Sequence, residues 1–200
     1  MLNNTSSHAY KIYTKALEHK AVAIHPGQIE VQQHLPISTL LGSCVSICLY
    51  DAHLHLAGMN HFMLPHFRDR EKNCKDSVYS GMASMDMLVN AMMKHGAIKS
   101  RLVAKAFGGG NMLKLRQHEC VGQRNIHFTK EWLAAEKIPL IAADWGGDCA
   151  RKIILDPQTG YVYCRHIQKK LVQLSALSQE EPCYENSLKT ALEKPKVDYW

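Results

Sequence analysis

The stretch LGSCVSICLYDAHLHLAGMNHFML, residues 41–64, decides how this chain is read. Val45, Ile47 and Leu49 alternate with Ser46, Cys48 and Tyr50, the period-two pattern of a strand with two different faces. Residues 57–64, AGMNHFML, make a second strand candidate, and residues 51–55 are sufficient to turn between the two. A hairpin is the economical arrangement, and it brings Cys44, at the mouth of the first strand, beside His61 in the second. The backbone N–H groups near Ser43 and Cys44 can then point outward instead of into a ladder, which suits a nucleophile with an oxyanion site. A thiol of ordinary pKa, about 8.5, is only a few per cent thiolate at neutral pH, so a catalytic cysteine needs a base, and His61 is the candidate. On spacing alone, an inert buried thiol fits Cys44 as well.

Outward from this hairpin the pattern is mixed α/β. Pro26 and Gly27 punctuate the approach to an alternating segment, residues 28–33, and the core is expected to begin near His25. Over residues 77–95, Val78, Met82, Met85, Leu88, Val89 and Met92 recur at spacings of three and four, which predicts an amphipathic helix ended by Gly96 as a left-handed cap. A short strand over 102–107 runs into Gly108, Gly109 and Gly110, and residues 124–137 have helical spacing. Residues 140–143, 152–155 and 161–164 complete the strands, the last two joined by a turn at Asp156, Pro157 and Gly160. The expected organisation is an N-terminal extension (1–24), one α/β domain (25–170) and a partly ordered C-terminal tail (171–200), without internal repeats.

Composition narrows the classes. Hydrophobic residues make up 46% of the 200 and charged residues 21%, which predicts a folded globular chain. No stretch approaches eighteen consecutive apolar residues and the start has no apolar h-region, so neither membrane insertion nor a secretory signal is expected, and the expected location is the cytoplasm. The seven cysteines are scattered and odd in number, which predicts thiols and no disulfides. A formal charge of +6 is spread along the chain without a basic run, so nucleic-acid binding ranks last. Twelve histidines invite a metal reading. His53, His55, His61 and His66 have no paired cysteine motif beside them, and no metal or other cofactor is expected. The Gly108–Gly110 run lacks the lysine of a phosphate-binding loop, and close backbone approach or a substrate-side loop is the better reading.

Read together, LGSCVSICLYD, GMNHFMLP with its histidine seventeen residues after the cysteine, AKAFGGGNML, VGQRN and DWGGDCARKI follow one another as in the CheD family, which this chain resembles over about residues 25–166. The resemblance implies a single-domain mixed α/β sandwich related to the catalytic domains of deamidating bacterial toxins. It implies hydrolysis of glutamine side chains to glutamate on chemoreceptors, with Cys44 as nucleophile, His61 as general base and no cofactor. It further implies an oxyanion site at the backbone of Ser43 and Cys44, and a substrate cleft walled by Gly109, Gly110 and Asn111. The implied partners are chemoreceptor cytoplasmic domains and a CheC-type phosphatase, whose docking is the alternative role. The family's hydroxyl residue that orients the histidine stands six positions before the nucleophile. That position is Ser38 here, with Thr39 next to it as the alternative.

Overall fold

The computed structural model describes residues 14–64, 80–111 and 121–167. The tail from 171 onward, the first thirteen residues of the extension, Val78, His66 and Cys74, Cys120 and Cys183 lie outside the described residues. The described part has three layers, made by its two long helices, a five-stranded sheet and a four-stranded sheet, and a short helix precedes the first strand.

The elements in chain order are helix α1 (residues 14–20), β1 (Val22–Ala23), β2 (Ile29–Gln32), β3 (Ile37–Leu41), β4 (Val45–Asp51), β5 (Leu56–Asn60), α2 (Gly81–Lys94), β6 (Val103–Gly108), α3 (Val121–Ala135), β7 (Leu140–Trp145), β8 (Ala150–Leu155) and β9 (Val162–Ile167). The sheets run β1-β3-β8-β9 and β2-β5-β4-β6-β7. β1 pairs parallel with β3, so the four-stranded sheet includes residues that the sequence reading left in the N-terminal extension. The expected hairpin is present: β4 and β5 pair antiparallel, with Cys48 opposite Met59 and Asp51 opposite Leu56.

Alternation along β4 divides the core in two. Val45, Ile47 and Leu49 pack with Met85, Leu88, Met92, Ile126 and Leu133 between the five-stranded sheet and the helices. Cys44 and Cys48 belong to the second cluster, with Ile37, Leu41, Met59, Phe107, Ile153 and Leu155, between the two sheets. On α2 the stripe reading holds for Met85, Leu88, Val89 and Met92, whereas Met82 is exposed, because the buried face runs instead through Gly81 and Ser84. Gly96, at φ +93°, occupies the left-handed region where the helix ends. The tip of the hairpin is fixed by Asp51, fully buried, whose carboxylate accepts two hydrogen bonds from Arg101 and one from the N–H of His53. Burial alone would raise the Asp51 pKa, but these donors outweigh it and hold the carboxyl below its usual range.

The start of α3 abuts the end of β6. A Cβ on Gly122 would lie 2.3 Å from the carbonyl oxygen of Gly109, a backbone atom with little freedom to retreat. Gly122→Ala should therefore destabilise the protein by about 1–3 kcal/mol, even though alanine favours a helix over glycine by about 1 kcal/mol. A denaturant midpoint unchanged or raised in the alanine variant would refute this close approach.

Candidate active site

Cys44 stands where the chain leaves one sheet for the other. β3 belongs to the four-stranded sheet and β4 to the five-stranded sheet, and residues 42–44 form the bend between them. Every carbonyl in that bend has a donor: Gly42 O accepts from Gly110 N at 2.8 Å, Ser43 O from Asn125 Nδ2 at 3.1 Å, and Cys44 O from Gly109 N at 2.7 Å. In a trans peptide the N–H points opposite to the preceding C=O, so anchoring the carbonyls also sets the N–H directions. The N–H of Ser43 is turned away from Gly110 and that of Cys44 away from Asn125.

Past the end of the regular ladder, Val45 and Phe62 exchange both backbone hydrogen bonds, at 3.1 and 3.0 Å. Cys44 and His61 are each one residue before that pair in sequence, so alternation puts both on its opposite face, the one toward the second sheet. They are diagonal neighbours, a separation of about 7–8 Å at the backbone that an imidazole side chain can bridge. Both are almost fully buried. Between the Val45–Phe62 pair and the regular ladder, which begins at Cys48 and Met59, the pairing is interrupted, because Ile47 N donates to the side chain of Asn60, at 2.7 Å, instead of to a strand carbonyl.

The hydroxyl that meets His61 is that of Thr39, with Oγ1 2.8 Å from Nδ1. Ser38, the position implied by the count of six, lies on the other face of β3, where its Oγ is 3.4 Å from Lys152 Nζ. Parity is the reason: Ile37, Thr39 and Leu41 share the face between the sheets, and Ser38 must turn away. The Thr39 contact also assigns the tautomer. Thr39 Oγ1 donates its one hydrogen to Ile24 O at 2.8 Å, so toward His61 it accepts, and Nδ1 carries the proton. Nε2 is left with a lone pair, buried, and without a hydrogen-bond partner among the described residues.

Gly109 and Gly110 are buried as backbone supports of the bend, and Asn111 is half-buried, its N–H on Gly147 O at 2.7 Å. Gly108 must be glycine: it sits at φ +108°, and a Cβ would fall 2.2 Å from Cys44 O. Asn60 and Asn125, both fully buried, are the polar residues that sequence reading missed. Asn125 belongs to the quoted VGQRN block, but nothing near it in sequence points to Cys44.

Cys48 and Cys164 are poor nucleophiles, since burial pushes both thiols up to about 12, with the Asp144 carboxylate adding to the effect at Cys164. Among the described residues, the grouping of metal-capable donors is Asp144, Cys164 and His166, whose ligand atoms lie within 4.8 Å of one another. Asp144 there is already engaged by Arg151 at 2.9 Å and by His166 at 2.7 Å. Of the loop histidines, His55 bonds to Gln158 O through Nδ1 at 3.1 Å and so joins the hairpin tip to the β8–β9 turn.

The chain is thus an α/β protein with a two-sheet sandwich, in which a buried cysteine and a threonine-bonded histidine lie near adjacent strand ends. The family model described as CheD chemotactic sensory transduction matches residues 63–166. The chain is 41% identical over 187 residues to the probable chemoreceptor glutamine deamidase CheD 2 of Dechloromonas aromatica, covering 93% of each chain. It is 41% identical over 173 residues to a probable chemoreceptor glutamine deamidase CheD 2 of Shewanella oneidensis, covering 82% of this chain and 86% of that one. A probable chemoreceptor glutamine deamidase CheD 1 of Geobacter sulfurreducens is 39% identical over 174 residues, 82% of this chain and 85% of its own. The chain belongs to the CheD family. No helix among the described residues is long and apolar enough to cross a membrane.

Burial, and then the charge of His25, lowers the His61 pKa from 6.5 to about 3. A depressed pKa means that the unfolded chain takes up this proton first. The stabilisation is fully present above pH 6.5 and is lost as pH falls toward 3. Lowering the pH from 7 to 5 should cost about 2 kcal/mol from this group, measured by urea unfolding, and His61→Gln should flatten that slope. Equal slopes in the two proteins would refute a buried neutral imidazole.

Proposed function

We propose that this chain hydrolyses glutamine side chains of chemoreceptors to glutamate, with Cys44 as nucleophile, His61 as general base and acid, and Thr39 as the group that orients His61. The observation that carries this reading is the unpartnered, buried Nε2 of His61, with its tautomer set by Thr39, on the same strand face as Cys44. The names of the relatives supply the substrate class.

The steps follow from the tautomer. A neutral imidazole cannot form a resting ion pair with a thiolate, so His61 Nε2 takes the Cys44 proton as sulfur attacks the carboxamide carbon. The C=O pair moves onto oxygen, and the oxyanion is held by the N–H groups of Ser43 and Cys44, whose directions are set by the anchored carbonyls. Each well-aimed donor is worth about 3 kcal/mol. The Nε2 proton then passes to the amide nitrogen, the C–N bond breaks, and ammonia leaves a thioester. Water, giving a proton to Nε2, attacks the thioester carbon, and the thiol departs with that proton. The product is glutamate, one negative charge richer at neutral pH. The imidazolium formed in each half-reaction keeps its Nδ1–H on Thr39, whose own proton remains on Ile24 O. This chain of bonds favours the charged ring where burial alone opposes it.

Co-expression with a receptor cytoplasmic fragment, followed by peptide mass spectrometry, tests the activity. Each modified glutamine gains about 1 mass unit, and Cys44→Ala should abolish the gain while leaving the thermal midpoint close to that of the wild type. A fully active alanine variant refutes Cys44 as nucleophile. For the orienting hydroxyl, Thr39→Ala should lower kcat at least about tenfold, roughly 1.4 kcal/mol in the barrier, and Thr39→Ser should retain most of it. Ser38→Ala should change kcat little, and the reverse ranking would return the orienting role to Ser38.

A further inference from the structure

Asn125 is fully buried on α3, 82 residues from Ser43 and 62 from Met63, yet its side chain joins both. Nδ2 lies 3.1 Å from Ser43 O and 2.9 Å from Met63 O. Both partners are carbonyls, which only accept, so the NH2 end of the amide must face them and both of its hydrogens are used. Oδ1 is then left buried without a hydrogen-bond partner among the described residues. An orphaned buried acceptor is destabilising, a cost that a side chain kept only for packing would avoid.

The two carbonyls flank the reacting pair. Ser43 immediately precedes Cys44, and Met63 stands two residues after His61. The β4–β5 ladder ends with the backbone pair of Val45 and Phe62, and beyond it Asn125 is the next group to bridge the two segments. Cys44 is therefore held from three directions: by the Val45–Phe62 pair, by Gly109 N on its own carbonyl, and by Asn125 on the carbonyl before it. An apolar residue at 125 supplies no donor, and an aspartate turns oxygens toward two carbonyls.

We propose that Asn125 is a positioning residue, a clamp that sets the span between the nucleophile's bend and the base's strand and, by holding Ser43 O, aims the Cys44 N–H. The proposal rests on the deamidase reading above and deepens it.

The test compares the full-length protein with its Asn125→Ala, Asn125→Asp and Thr129→Val variants. Thr129→Val removes the 2.8 Å bond from Thr129 Oγ1 to the Asn125 carbonyl, perturbing α3 while leaving the clamp in place. Three quantities are read: the thermal midpoint, kcat and KM for ammonia release from a receptor cytoplasmic fragment, and the rate at which iodoacetamide alkylates Cys44, followed by peptide mapping. Both Asn125 variants should lose at least about tenfold in kcat with KM within about twofold, since productive geometry and not uniform binding is removed. Alkylation of the loosened, otherwise buried thiol should become faster by at least about threefold, opposite in direction to kcat. Thr129→Val should hold both rates within about twofold of the wild type despite its lower midpoint. The clamp is overturned if a folded Asn125→Ala keeps the wild-type kcat and alkylation rate, or if Thr129→Val shows the same losses. It is equally overturned if neither Asn125 variant folds, which would make the residue a core member only. If the wild type releases no ammonia from the fragment, the deamidase reading fails by itself, and the alkylation comparison still decides the clamp.

Discussion

The chain passes from one sheet to the other in three residues, and the bend at Gly42, Ser43 and Cys44 has to satisfy its backbone without a ladder. Its carbonyls are taken by donors from two other parts of the fold, the glycine run after β6 and Asn125 on α3. This explains why glycine recurs there. At Gly108 a side chain would run into Cys44 O, and at Gly122 into Gly109 O, so the glycines are the spacing between the bend and its supports. Buried carbonyls left unpaired would each cost about 1–3 kcal/mol, which gives the arrangement a thermodynamic reason independent of catalysis.

Between the sheets, His61 occupies an apolar setting that excludes the charged ring. The consequence is a ring that rests neutral, with its proton on Nδ1 toward Thr39 and a lone pair on Nε2. The bond chain from Nδ1 through Thr39 to Ile24 O crosses from the five-stranded sheet to the four-stranded one, so the ring's orientation depends on how the two sheets pack. A displacement between the sheets would carry Thr39 away from a ring borne by the other layer.

The helical layer serves a different purpose. α2 presents Met85, Leu88, Val89 and Met92 to β2 and β5, and Phe62 meets Phe128 of α3 edge-on, with ring centroids 5.8 Å apart. These contacts back the strand ends that carry Cys44 and His61 from the side opposite the inter-sheet core. The strand segment around Phe62 is thus clasped on both faces, by an aromatic contact on one and by the inter-sheet core on the other.

Local pattern made the hairpin, both long helices and most strands legible, because alternation and three-to-four spacing are properties of consecutive residues. That Cys44 and His61 are neighbours was legible for the same reason, the two being positions on one hairpin, whereas the roles proposed for them came from the resemblance of the motif blocks read together. Of the two hydroxyls that the sequence offered, Thr39 is the one that meets His61: counting back from Cys44 reaches Ser38, but a strand sorts residues by face, and the face toward His61 belongs to Thr39. Which of β3's two faces turns inward is decided by how the second sheet packs on the first, a relation between segments that no short window contains. Asn125 shows the same limit over a longer range, since its two carbonyl partners lie 82 and 62 residues away and meet its amide only after α3 has docked against the ends of the hairpin. The sequence by itself determined the elements and set Cys44 and His61 on one hairpin, through spacing along the chain. Only the tertiary structure decided what holds that pair in place, because hydrogen bonds between distant segments depend on packing that periodicity does not encode.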